Sequence, residues 1–113
     1  MRHAPFRSSA LACALLLGAA SACVTIGEPF PATEVPRIEI GVTTQDDLTE
    51  MFGAPYRKGY DDGDRTWTWV HYRLALIGAT RSRDLYVRFD STGRVASYSF
   101  NTNFPEDEEP GAR

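Results

Sequence analysis

The chain has 113 residues, 42% hydrophobic and 12% aromatic, with 15 Asp and Glu against 12 Lys and Arg for a formal charge of −3. That length holds one domain at most, and a domain so small buries only about 60% of its unfolded surface, which leaves little room for a deep catalytic cavity beside a packed core. An acidic chain lacks the basic surface that displaces counterions from nucleic acid, which excludes that class of partner, and its net charge disfavours simple adhesion to anionic lipid.

The amino terminus carries the strongest signal. Arg2, His3 and Arg7 precede an apolar run of eleven residues, Ala10–Ala20. Crossing the ~30 Å hydrocarbon core takes about 20 apolar residues, so this run is too short to span it. Small residues and a cysteine follow, Ala20-Ser21-Ala22-Cys23. A basic start, a short apolar run and a small-residue cleavage site define a secretory signal, here residues 1–22. The cysteine behind the small residues resembles the bacterial lipobox, which implies a diacylglyceryl group on Cys23 and cleavage in front of it. Two or more acyl chains, at ~0.8 kcal/mol per buried methylene, make such an attachment stable. Val24, rather than Asp, follows the cysteine, which by the sorting rule of such lipoproteins implies the periplasmic side of the outer membrane. The mature chain keeps ten Lys and Arg against fifteen Asp and Glu. Cys13 leaves with the signal, so neither an internal disulfide nor a thiolate metal cluster is available.

Residues 23–32 read as a lipidated tether. Val24–Ala32 (VTIGEPFPA) holds Gly27, Pro29 and Pro31, and its single large apolar side chain, Phe30, is a candidate contact with the domain or with a partner. Thr33–Ile38 predicts one helical turn, with Thr33 as a cap and Pro36 tolerated in the first turn. Gly41 turns the chain. Thr44–Phe52 is the best helix: Thr44 caps it, Asp47 stands near the acidic position of a capping box, and the acids Asp46, Asp47 and Glu50 suit the dipole. Leu48, Met51 and Phe52 form one apolar stripe, and Gly53 and Pro55 end the helix.

Three strands follow. In Thr66–Tyr72 one face carries Trp67, Trp69 and His71, the other Thr68, Val70 and Tyr72. In Asp84–Asp90 one face carries Leu85, Val87 and Phe89, the other Tyr86 and Arg88. Val95–Phe100 is the third strand. Its end residues differ in parity, so placing both on one face requires a bulge. Asp61-Asp62-Gly63-Asp64 and Asp90-Ser91-Thr92-Gly93 are turns. The expected fold is therefore α+β, two short helices packed on a three-stranded antiparallel sheet over residues 33–104. A tail of residues 105–113, with consecutive acids from Glu106 to Glu109, is expected to be disordered.

The motif order points to a family. Ile40-Gly41-Val42-Thr43-Thr44, the helix exit Phe52-Gly53-Ala54-Pro55, the strand Trp67-Thr68-Trp69, and Leu85-Tyr86-Val87-Arg88-Phe89-Asp90 with Gly93 and Val95 follow one another along residues 34–100. In order and spacing this resembles the BamE (SmpA–OmlA) domain of small bacterial outer-membrane lipoproteins. The resemblance implies an ααβββ fold and a non-catalytic scaffold role, accessory to the machinery that inserts β-barrel proteins into the outer membrane, with lipoproteins of that machinery as partners. The family's Tyr-Arg-Pro-Asp-Ile binding motif is absent here, where VTIGEPFPATEV stands, so none of its binding residues carries over.

The remaining candidates are few. His71 is the sole histidine of the mature chain and has no motif around it, so it reads as a sheet residue rather than a general base. Asp61, Asp62 and Asp64 lack the bidentate Glu that a calcium loop places at its twelfth position, where Tyr72 stands, so they read as a turn and not a metal site. Trp67 and Trp69 read as core, with an exposed binding face as the alternative. Leu74-Ala75-Leu76-Ile77-Gly78-Ala79 is apolar where a connection should be polar. Leu74, Leu76 and Ile77 are thus candidates for contact with a partner or the membrane surface, unless the strand runs on through Leu76 and part-buries them. No nucleophile-elbow or phosphate-loop pattern is present, so neither an enzyme nor any cofactor beyond the lipid on Cys23 is expected. The alternative function is a periplasmic inhibitor or envelope-stress lipoprotein outside barrel assembly.

Overall fold

The computed structural model describes residues 23–107, in which five strands form one antiparallel sheet: β1 (Cys23–Gly27), β2 (Arg57–Asp61), β3 (Asp64–Ala75), β4 (Arg81–Phe89) and β5 (Val95–Thr102). Between β1 and β2 lie a six-residue 3-10 helix, Ala32–Arg37, and the eight-residue helix α1, Gln45–Phe52. The expected three-stranded sheet beneath two packed helices is therefore corrected to a larger sheet with short helical segments on one face. The signal expected over 1–22 and the tail residues 108–113 lie outside the described residues.

The two additional strands have separate causes. β3 extends three residues past Tyr72 to Ala75, and its residues 71–75 offer a further stretch of hydrogen-bonding edge. Exposed strand edges are templates for pairing, and buried backbone groups must find partners. The front of the expected tether fills this edge: Cys23–Gly27 pairs with Ala75–His71. β2, the polar RKGYD, has little strand propensity of its own. It forms because Asp62 and Gly63 take φ of 57° and 89°, the paired positive angles of a two-residue turn whose twist matches a hairpin.

β1 and β2 lie end to end along one edge of β3, against residues 71–75 and 64–68 respectively. In the gap between them the Tyr56 N–H donates to the Thr68 carbonyl at 2.8 Å. Gly27 closes the gap from the other side. A Cβ there would lie 2.0 Å from the Val70 carbonyl oxygen, and its φ of +80° is one that side chains resist.

One face of the sheet carries the core. Trp67, Trp69, Leu85, Val87, Phe89 and Val95 are buried there beneath Val35, Ile38, Leu48 and Phe52. Thr44 and Asp47 make the reciprocal capping box, at 3.1 and 3.0 Å, that starts α1. At its other end Gly53 takes φ of 85°, and its carbonyl accepts the Trp69 indole N–H at 3.0 Å. The aromatic rings interlock edge to face: Trp67 lies 5.1 Å from Phe89 and 5.9 Å from Trp69. The parity conflict in β5 is resolved by a bulge. Phe89 pairs with Val95 but Arg88 with Ser97, so Ala96 is the extra residue and Val95, Tyr98 and Phe100 all reach the core side. The Ile40–Thr44 motif straps the start of β5, with the Gly41 N–H donating to the Val95 carbonyl and the Val95 N–H to the Thr43 carbonyl.

Replacing Gly27 by Ala is expected to strip β1 from β3 while leaving the rest folded. Amide exchange should accelerate across Val24–Ile26 and stay unchanged in β4; uniform protection in both would contradict the close-approach account.

Candidate membrane-facing end

Cys23, exposed and with a free thiol, is the first residue of β1 and lies in register with Ala75. The next pair is Val24 with Leu74, followed by Thr25 with Arg73. Beyond Ala75 the chain bends through Leu76, Ile77 and Gly78, then returns as β4 with Arg81 opposite Arg73. The apolar run thus lies at the tip of the β3–β4 hairpin, not in a buried strand. Leu76 is 82% and Ile77 93% exposed, with Val24 at 56% and Leu74 at 38% beside them. The base of this tip is fixed. Asn103 donates to the Thr80 carbonyl at 2.9 Å and accepts from the Ser82 N–H at 2.7 Å, so the apolar residues project from a held frame.

Behind the tip, a buried ion pair ties the segment after β5 to the segment after β1. Arg83 grips Asp107 through two bonds of 2.7 and 2.8 Å and donates to the Phe30 carbonyl at 3.2 Å. Thr102 donates to the same carboxylate at 2.6 Å. The guanidinium lies 4.3 Å from the Phe104 ring, on which His71 stacks at 5.5 Å. Phe104 is therefore buried and Pro105–Asp107 form a helical turn. The disorder expected from residue 105 is corrected over 105–107: a carboxylate read as part of a solvated acidic run is the partner of a buried arginine.

His71 is buried, and its Nδ1 has no hydrogen-bond partner. Burial holds its pKa below the ordinary 6.5, assisted by the positive charges of Arg83 and Arg73 and partly opposed by Glu28. Its immediate neighbours are a phenyl ring and a guanidinium rather than a nucleophile.

Phe30, a candidate partner contact, is corrected: it is 4% exposed and packs on Phe52 at 6.0 Å and Phe100 at 6.5 Å, inside the core. Trp67 and Trp69 are buried on the helix-covered face, and Lys58 of β2 lies over the Trp67 ring at 4.9 Å. The acids of the β2–β3 turn serve Arg88 and Tyr86: Asp61 accepts from the Tyr86 hydroxyl at 2.7 Å and Asp64 from Arg88 at 3.0 Å. The uncovered face of the sheet presents Tyr72, Tyr86 and Arg88 around the small residues Thr66 and Thr68. Sequence reasoning missed Val24, Arg73 and Arg81 at the tip and Arg83 and Asp107 behind it. The even spacing of Arg81 and Arg83 before the apolar positions of β4 was a signal of same-face strand residues.

Asp107→Ala should lower unfolding stability by about 3 kcal/mol or more, because it leaves Arg83 buried and unpaired. Glu106→Ala, which removes an exposed carboxylate 3.9 Å away, should cost about 0.5 kcal/mol or less. Equal effects in denaturant titration would contradict the assignment. His71 binds a proton more readily unfolded than folded. Its contribution to stability is thus complete above about pH 6.5 and declines as the pH falls from there through the lower folded pKa. His71→Phe should flatten that part of the stability profile, and an unchanged slope would exclude His71 as its source.

No protein-family model and no curated protein matches this chain.

Proposed function

We propose that this chain is a non-catalytic, lipid-anchored interaction module on the periplasmic side of the bacterial outer membrane. One observation carries the reading. The cysteine that follows the basic start, apolar run and small residues of 1–22 is exposed at the first position of β1, where it adjoins an exposed apolar hairpin tip. A thiol so placed is open to acylation, and two or more acyl chains there hold a domain to a bilayer. The side chains around His71 offer packing rather than turnover, since an aromatic ring and a paired arginine surround it.

The motif order over residues 34–100 supports placing this work in β-barrel protein assembly, through contact with other lipoproteins of that machinery. β1 and β2 carry none of those motifs, so surfaces built from them are where this chain would differ from others with the same motif order.

Cells expressing the full chain and fed radioactive palmitate should yield a labelled protein in the membrane fraction. Cys23→Ala should abolish the label and release the protein into the periplasm. A wild-type chain that is soluble and unlabelled would overturn the anchor. Crosslinking in intact cells followed by mass spectrometry should recover barrel-assembly components, and recovery of none would remove that part of the reading.

A further inference from the structure

We infer that the β3–β4 tip is the surface on which the domain rests against a phospholipid bilayer, with Leu76 and Ile77 entering the headgroup region beside the lipid on Cys23. The inference rests on the lipid-anchor reading above and adds to it a fixed orientation of the domain.

The register is the first ground. Cys23 pairs with Ala75, and paired strand residues lie about 5 Å apart. The attachment point is thus one strand spacing from Ala75, and Ile77 stands two positions further along the chain. β1 begins at the attachment residue itself, so no free linker lets the domain swing away from the surface. Any bilayer that receives chains from Cys23 meets this tip first.

The chemistry of the tip is the second ground. Val24 and Leu74 project from one face of the hairpin end, and Leu76 and Ile77 continue beyond it, all exposed. Isolated exposed apolar residues are ordinary, but four together beside an acylation site form a patch whose burial is favourable in the acyl boundary. Tyr72 and Ile26 follow on the face of Val24 and Leu74, half-buried, where an aromatic ring with a polar end suits the interface.

Charge is the third. Arg73 and Arg81 stand directly opposite one another, a pairing that repels unless an anion lies between them. Neither forms a salt bridge among the described residues. They lie a step behind the apolar tip, the depth of lipid phosphates, which guanidinium groups bind in a fork. Residues 23–27 and 72–82 contain no acid. The opposite end of the same strands carries Asp61, Asp62, Asp64 and Asp90, together with Arg65, Arg88 and Arg94. The tip segments thus carry positive charge only, whereas the opposite end mixes both signs.

The test uses the full chain, purified from detergent-solubilised membranes and reconstituted into vesicles of phosphatidylethanolamine and phosphatidylglycerol. A lipid on Cys23 blocks that thiol, so Ile77→Cys and, at the far end, Ser91→Cys each provide a single site for an environment-sensitive dye. A quencher carried on the lipid acyl chains should reduce emission from position 77 roughly threefold or more beyond that from position 91, because only the tip reaches the acyl boundary. Adding Leu76→Asp to the Ile77→Cys chain should weaken that quenching. Equal quenching at the two positions, with Cys23 blocked, overturns the proposal and leaves the tip to a protein partner. Dye uptake by the wild-type chain shows Cys23 unmodified and overturns the anchor reading, and the proposal with it.

Discussion

The hydrogen-bonding edge of β3 sets the position of nearly everything else. This strand runs twelve residues, and its two edges accept three others: β4 along one, β2 and β1 in succession along the other. A strand this long cannot leave five residues of backbone donors and acceptors unpaired without inviting association with another chain. The segment behind Cys23 meets that need, and in doing so turns an apparent tether into a structural element. The price of that arrangement is steric, and it falls on Gly27, where β1 must leave β3 against the Val70 carbonyl.

From this pairing follows the geometry of the end that holds Cys23. The strand whose inner residues hold the aromatic core is also the strand whose last residues carry the apolar tip and pair with Cys23. Core and Cys23 are thus joined by continuous backbone hydrogen bonds, with the Arg83–Asp107 pair behind them tying in both Phe30 and the segment after β5. A buried ion pair is weak evidence of net stability, but the directional demands of a bidentate guanidinium leave one arrangement of these segments satisfied. Such a frame holds the loop in one position relative to Cys23, whereas a flexible linker would average over many.

Much of the domain was legible in its residues, and where it was not the reason is specific. Thr44 and Asp47 announced the capping box, Gly53 the helix end, and Leu85, Val87 and Phe89 the buried face of β4, because each signal acts over a few neighbouring residues. The conflict between Val95 and Phe100 pointed to a bulge, and the register with β4 places it at Ala96. β2 escaped notice because RKGYD has neither alternation nor propensity, although Asp62-Gly63 behind it is a strong hairpin signal. β1 escaped because Val24, Thr25 and Ile26 alternate over too short a stretch to stand out before Gly27, Pro29 and Pro31. Phe30, left open between the domain and a partner, and Asp107, read as part of a solvated tail, share one cause: their partners, Phe52 at one and Arg83 at the other, lie far away along the chain.

Composition, local spacing and parity alone determined the short apolar run with its following cysteine, the capped helix, the alternating faces of β3 and β4, and the oddly apolar run after Tyr72. These are short-range properties, settled by neighbours a few residues apart. Only the tertiary structure decided that Cys23 pairs with Ala75, that Leu76 and Ile77 are exposed beside it, and that Arg83 closes on Asp107. Those outcomes depend on which strand edge is left unpaired and which charge is left buried, and both are properties of the assembled sheet rather than of any segment within it.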